Sequence, residues 1–169
     1  MNKLRIGILT VSDRSSRDER PDLSGPALVE IVQSQNWDIA ETLIVPDDLD
    51  VLRDTLIMWA DSHDMDIILT TGGTGFAPRD ITPEATRFVV DKLAPGLSEA
   101  MRLESLKITP HAMLSRAVTG IRARVLIINL PGSPKAASEN LQVIIPVLEH
   151  AVQLLREDAA AEAGHIPDP

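Results

Sequence analysis

Four short apolar runs, each followed by a helical pattern, set the strongest limit on how this chain can fold. The runs fall at residues 4–11, 38–45, 66–71 and 125–130, and the helical spacings at 25–35, 50–63, 83–92, 96–106 and 134–156. Ile67-Ile68-Leu69 has no polar position at all, which is the signature of a strand covered on both faces. Strands alternating with helices of this length predict βαβ units. The expected fold is a single α/β domain, a three-layer αβα arrangement whose mostly parallel sheet carries helices on both faces. Right-handed crossovers follow. With 169 residues there is enough chain for one sizeable core. Aromatic residues are only 2% of the chain, so that core must be built from Ile, Leu, Val, Ala and Met. Neither a repeat nor a linker divides it, so the domain is expected over 1–156 with a short polar tail at 157–169.

Ligands of such sheets bind beyond the carboxyl ends of the strands. Those ends read Ser12-Asp13-Arg14, Pro46-Asp47-Asp48, the loop from Gly72 to Asp80, and Asn129-Leu130-Pro131-Gly132-Ser133-Pro134-Lys135. Gly72, Gly73 and Gly75 supply backbone able to take positive φ and lie close to a ligand. Asp80 follows, and Thr82-Pro83 opens a helix with a good N-cap and a proline at the first turn. Exposed N–H groups, a helix start and a carboxylate outline a phosphate-handling site with room for Mg²⁺. The usual phosphate motifs do not fit: Phe76-Ala77 stands where a Walker loop needs Lys-Ser/Thr. Pro78 stands where a dinucleotide fingerprint needs its third glycine. Helix capping is the competing explanation for several of these residues, with Ser24 or Gly25, Asp47 or Asp50, Thr82 and Ser133 as candidate caps.

The formal net charge of −9 argues against nucleic acid as a partner. A phosphate ligand would need local cations, for which Arg14, Arg17, Arg20, Arg79, Arg116 and Lys135 are available. Asp47 and Asp80 should lie on one edge of the sheet, where a shared Mg²⁺ could sit between them. The absence of cysteine excludes disulfides, thiolate metal sites and a cysteine nucleophile. Neither a signal peptide nor a membrane span is evident, so a cytoplasmic protein is expected. The histidines show no ligand spacing for zinc. Gly96-Leu97-Ser98-Glu99-Ala100 lacks the last glycine of a nucleophile elbow. Trp37 and Trp59 are expected to pack in or against the core. Between 95 and 120 the pattern is irregular, with a helix near 96–106 and then a hairpin through Gly120.

Taken together, several motifs resemble one family. They are Thr70-Thr71-Gly72-Gly73-Thr74-Gly75-Phe76-Ala77-Pro78-Arg79-Asp80-Ile81-Thr82-Pro83-Glu84-Ala85-Thr86, Met113-Leu114-Ser115-Arg116 and Ile128-Asn129-Leu130-Pro131-Gly132-Ser133-Pro134-Lys135. Ile6-Gly7-Ile8-Leu9-Thr10-Val11-Ser12-Asp13-Arg14 and Ile44-Val45-Pro46-Asp47-Asp48 match as well. The chain is similar to the molybdopterin adenylyltransferases of the molybdenum-cofactor biosynthesis domain family, the MogA type in bacteria and the gephyrin G domain in eukaryotes. The resemblance runs from about residue 4 to 156. It implies a homotrimer and a Mg²⁺-dependent reaction in which ATP and molybdopterin give adenylylated molybdopterin and pyrophosphate. By the same resemblance Asp47 and Asp80 are the catalytic and metal-binding carboxylates. It also implies that Ser12, Asp13, Gly72, Gly73, Thr74, Gly75, Ser105, Ser115, Arg116, Asn129, Pro131, Gly132, Ser133 and Lys135 bind substrate. Ser133 departs from the family's frequent asparagine. No molybdenum-insertion domain is expected in the chain, so a separate insertase is an expected partner. The alternative reading is a MoaB-type relative or scaffold that binds molybdopterin without efficient catalysis.

Overall fold

Alternation along the strands sorts the apolar residues onto two helix layers. In the computed structural model, which describes residues 3–158, Ile6 and Ile8 of β1 (Arg5–Val11) face one layer and Leu9 and Val11 the other. The first layer holds α2 (Ser24–Ser34), α5 (Pro95–Leu106) and α6 (Pro134–Leu155), packed through Leu28, Met101, Leu141 and Leu148. The second holds α3 (Leu49–Asp61) and α4 (Thr82–Val89), through Leu52, Leu56, Trp59 and Val89. Every residue of β3 (Ile67–Thr71) and of β6 (Val125–Leu130) is buried, as strands sandwiched between two layers must be. Fully burying a side chain such as Ile68 or Leu69 contributes about 1.5–3 kcal/mol.

The six strands run β2-β1-β3-β6-β5-β4, where β2 is Asp38–Val45, β4 Lys92–Leu93 and β5 Thr119–Arg122. β2, β1, β3 and β6 are mutually parallel; β5 and β4 are antiparallel additions at one edge. From β1 the chain moves outward to β2 and then returns past β1 to β3. The connections therefore diverge between β1 and β3, which opens a crevice at their carboxyl ends. Gly7 serves the opposite layer: a Cβ there would press 3.0 Å from the Trp59 ring, so its absence lets the indole lie against β1. Both tryptophans pack as expected, and the Trp37 indole donates to Glu149 at 2.9 Å.

Two expectations need correction, and one element had none. The helix expected over 83–92 stops at Val89, because β4 takes up the next residues as an edge strand. The hairpin does not turn at Gly120, which lies inside β5 beneath Val90; β5 and β6 are joined through Ala123 and Arg124, with Ala123 at φ 50°. A 3-10 turn at Pro110–Leu114 was not foreseen. Among the described residues no helix is long and apolar enough to cross a membrane. The expected tail lies, from residue 159 on, outside the described residues.

Candidate functional site

A cavity of about 500 Å³ occupies the crevice between the ends of β1 and β3. Its wall is built by hydrogen bonds between strand ends. Ser12 N donates to Val45 O at 2.9 Å, and Asp13 and Asp47 clasp each other reciprocally. Asp13 N donates to Asp47 Oδ2 at 2.9 Å and Asp47 N to Asp13 Oδ1 at 3.0 Å. The Ser12 hydroxyl accepts from Ser15 N at 3.2 Å, starting the short helix α1 (Asp13–Ser16). The cap of α3 is Asp48, which accepts from both Asp50 N and Val51 N. Capping thus accounts for neither Asp47 nor Asp50, and the Asp47 carboxylate is left facing the cavity.

The glycine turn closes the other side. Gly72 and Gly73 have φ of 103° and 63°, a region that residues with a Cβ avoid. A Cβ on Gly72 would collide with the Val11 carbonyl oxygen, and one on Gly73 would collide with the Thr82 hydroxyl and lie 3.5 Å from Asp47 Oδ1. Gly75 lacks the positive φ expected of it. It is small for another reason: a Cβ there would come within 2.9 Å of Asp80 Oδ2. Nor does Thr82 cap its helix. Ile81 holds the cap position without a side-chain bond, while the Thr82 hydroxyl donates back to Gly72 O at 2.8 Å and Thr82 N to Gly73 O at 3.1 Å. The start of α4 is thereby used to fasten the turn.

The two carboxylates flank this turn. Asp80 Oδ2 accepts from Ala77 N at 2.8 Å and Asp47 Oδ2 from Asp13 N; among the described residues the Oδ1 of each accepts no hydrogen bond. Burial pushes the Asp47 carboxyl above the ordinary aspartate range. The charges of Asp13 and Asp80 push it the same way, against the Asp13 backbone N–H and the Arg79 charge. A divalent cation would relieve that crowding. Two carboxylates with free oxygens, and no metal-holding cluster of three or more His, Asp or Glu around them among the described residues, fit Mg²⁺ shared with substrate phosphates rather than a protein cage. Arg14, Arg17, Arg20 and Arg79 line the same cavity. Arg17 pairs with Glu19 at 3.0 Å; among the described residues the other three form no ion pair. Half-buried carboxylates and exposed arginines lining one cavity suit a polyanion carried with a metal ion.

Not every expected residue meets this cavity. Ser12, Asp13, Asp47, Gly72, Gly73, Asp80 and Gly132 do. Ser105, Ser115 and Lys135 lie apart, on α5, just after the 3-10 turn and at the start of α6. The Ser105 hydroxyl accepts from Asn140 at 3.1 Å, Ser115 O accepts from Arg102 at 3.1 Å, and Lys135 is 79% exposed. Ser133 is a cap, accepting from Ala136 N at 3.5 Å, and Pro131 O accepts from the Thr71 hydroxyl at 2.7 Å. Thr74 is buried, its carbonyl accepting from Arg116 N at 2.9 Å. Asn129 is fully buried and fully engaged: it donates to the hydroxyls of Thr70 and Thr86 and accepts from Val118 N. It ties β6 to β3, α4 and the approach to β5, and does not reach the cleft surface. Arg116 likewise spends its guanidinium on the protein, on Gly75 O, Asp80 O and Glu84.

Asp22 was overlooked in the sequence. It accepts from the Thr10 hydroxyl at 2.6 Å and from Ser24 N and Gly25 N, so it pins the start of α2 to β1 beside the cavity. Its signal was available: an aspartate two residues before Ser24-Gly25 is a capping pattern. Arg102 and Asn140 sit inside helices and had none.

Comparison with known proteins bears on the family and the fold. The family described as "Probable molybdopterin binding domain" matches residues 7–150. The Helicobacter pylori (strain J99) molybdopterin adenylyltransferase is 45% identical over 157 residues, 92% of this chain and 89% of that protein. The Drosophila melanogaster molybdenum cofactor synthesis protein cinnamon is 44% identical over 162 residues, 95% of this chain; the chain spans only 27% of that longer protein. Among solved structures, the molybdopterin biosynthesis enzyme MoaB from Thermus thermophilus superposes with a TM-score of 0.87 at 50% identity, covering 92% of this chain and 98% of that one. With the family pattern spanning most of its length and its strand ends built as described, the chain belongs to the molybdopterin-binding domain family of molybdenum cofactor biosynthesis, alongside proteins named molybdopterin adenylyltransferase.

Proposed function

We propose that the protein transfers AMP from ATP to the terminal phosphate of molybdopterin, releasing pyrophosphate. The observation that carries this reading is the lining of the cavity: the half-buried Asp47 and Asp80, the exposed Arg14, Arg20 and Arg79, which form no ion pair among the described residues, and the glycine backbone of Gly72 and Gly73. An oxygen of the molybdopterin phosphate attacks the α-phosphorus of ATP. The bond from that phosphorus to the oxygen bridging the β-phosphate breaks, and pyrophosphate leaves with the electron pair. Since the nucleophile is already an anion, no general base is needed; alignment and charge neutralisation do the work. Asp47 and Asp80 would hold Mg²⁺, which when bound neutralises charge on the transferring phosphates. Arg14, Arg20 and Arg79 steady the β- and γ-phosphates. Gly72 and Gly73 let the α-phosphate approach the backbone closely. Ser105, Ser115 and Lys135, which lie outside this cavity, are left to hold molybdopterin.

The second reading, a MoaB-type protein or scaffold that binds molybdopterin without efficient catalysis, is not favoured by the relatives named molybdopterin adenylyltransferase. Paired carboxylates speak for the enzyme, because beside an anionic ligand they would repel it unless a cation intervened. Assembly into a homotrimer and delivery of product to a separate molybdenum insertase belong to the same proposal. The apolar surface of Leu103, Ile108 and Met113, each 64% exposed, is available for association. Light scattering that returned the mass of a single chain would end the trimer part. The deciding experiment mixes the protein with molybdopterin, ATP and Mg²⁺ and analyses products. Adenylylated molybdopterin and pyrophosphate, abolished by a chelator, are expected. Bound molybdopterin without adenylate would turn the assignment to the second reading.

A further inference from the structure

We infer that Arg116 is a positioning residue that holds the Gly75–Asp80 loop in its working shape, and is not a ligand for the molybdopterin phosphate. For its effect on turnover this rests on the adenylyl-transfer reading. The loop bulges away from the body, with Phe76, Pro78 and Arg79 exposed. Its own hydrogen bonds are local: Ala77 N to Asp80 Oδ2 and Asp80 N to Ala77 O, both at 2.8 Å. Among the described residues, the only hydrogen bonds reaching 75–80 from outside the loop come from Arg116. Its Nε donates to Gly75 O at 2.7 Å and its Nη2 to Asp80 O at 2.5 Å, so one planar head ties both ends of the bulge. Immediately upstream, Arg116 N donates to Thr74 O at 2.9 Å. The remaining arm is paired with Glu84 on α4, which neutralises the charge a substrate phosphate would seek.

The fork matters because Asp80 occupies the end of this bulge. Fixing its carbonyl fixes its Cα, and so the direction in which its carboxylate meets the cavity. Displacement of a reacting group by about 1 Å can cost 10²-fold in rate. Lysine keeps the charge but offers a compact ammonium that cannot span two carbonyls. The two roles for Arg116 therefore predict different behaviour for Arg116→Lys.

The test compares wild type, Arg116→Lys and Arg116→Gln by steady-state kinetics with both substrates and by hydrogen exchange at the Ala77 amide. Circular dichroism confirms that each variant is folded. Both variants are expected to lose about tenfold to a hundredfold in kcat. KM for molybdopterin should stay within about threefold in both, and Ala77 should exchange about tenfold faster. Retention of kcat by Arg116→Lys, with a raised molybdopterin KM in Arg116→Gln, would overturn the inference in favour of charge recognition. Unchanged exchange in both variants would overturn it too. Should the wild type form no adenylylated product, the exchange comparison alone decides: faster exchange upholds the clamp while the adenylyl-transfer reading falls.

Discussion

Single atoms carry most of the chemistry proposed for this cavity. Asp80 uses one carboxylate oxygen to close its own loop on Ala77 N, leaving the other for a metal ion. Asp80→Asn retains an acceptor for that bond, so the fold should persist, while turnover should fall about a hundredfold or more. Circular dichroism and product-formation rates together check this, and unchanged turnover would remove Asp80 from the mechanism. Gly72→Ala tests the turn itself. At φ 103° and against the Val11 carbonyl, the added Cβ should cost about 1–3 kcal/mol in urea unfolding. At this scale the sequence was informative where a residue type has few uses, as with Gly72 and Gly73 or the carboxylates that follow the strands. It was silent where one type serves either ligand or structure. Arg116 and Asn129 both suit a phosphate or a pterin by chemistry, and both hydrogen-bond to other protein groups, Asn129 in the core and Arg116 nearer the surface.

Elements, rather than residues, place the two halves of the cleft. β1 and β3 are adjacent only because the chain reverses direction across the sheet after β2, and the Asp13–Asp47 clasp then locks β1 to the exit of β2. Asn129 plays the corresponding part between β6, β3 and α4. Removing its amide in Asn129→Ala leaves Val118 N and two threonine hydroxyls buried without their partner. A loss of about 2–3 kcal/mol is expected in denaturant unfolding. The β5–β6 hairpin offers a change in the other direction. Ala123 holds a left-handed conformation that costs an L-residue roughly 1–2 kcal/mol, so Ala123→Gly should stabilise by up to about 1 kcal/mol, read as a raised Tm. That alanine is also why the turn was misplaced in the sequence: no glycine or asparagine marks it, while Gly120 nearby does mark something else, the close approach of Val90.

For the molecule as a whole, the cavity is a store of unfavourable charge. The folded-state pKa of Asp47 is raised above its ordinary value of 3.8, chiefly by burial. Its contribution to stability is therefore fully present below that value and is lost as pH rises through the raised pKa. At neutral pH the ionised Asp47 therefore weighs against folding. Asp47→Asn should accordingly raise Tm at pH 7 in the absence of ligands, with the difference from wild type shrinking in acid. Wild type should gain more Tm from Mg²⁺ with ATP than the variant does. Equal gains in both would separate Asp47 from the metal. Burial and crowding of carboxylates depend on distances between strand ends that no stretch of sequence encodes. By itself the sequence determined the layered α/β fold, through the period of its apolar residues, and the acidic and glycine-rich character of its strand ends. Only the tertiary structure decided which of those residues share a cavity and which hold it open, because both roles use the same polar groups and differ only in where they point.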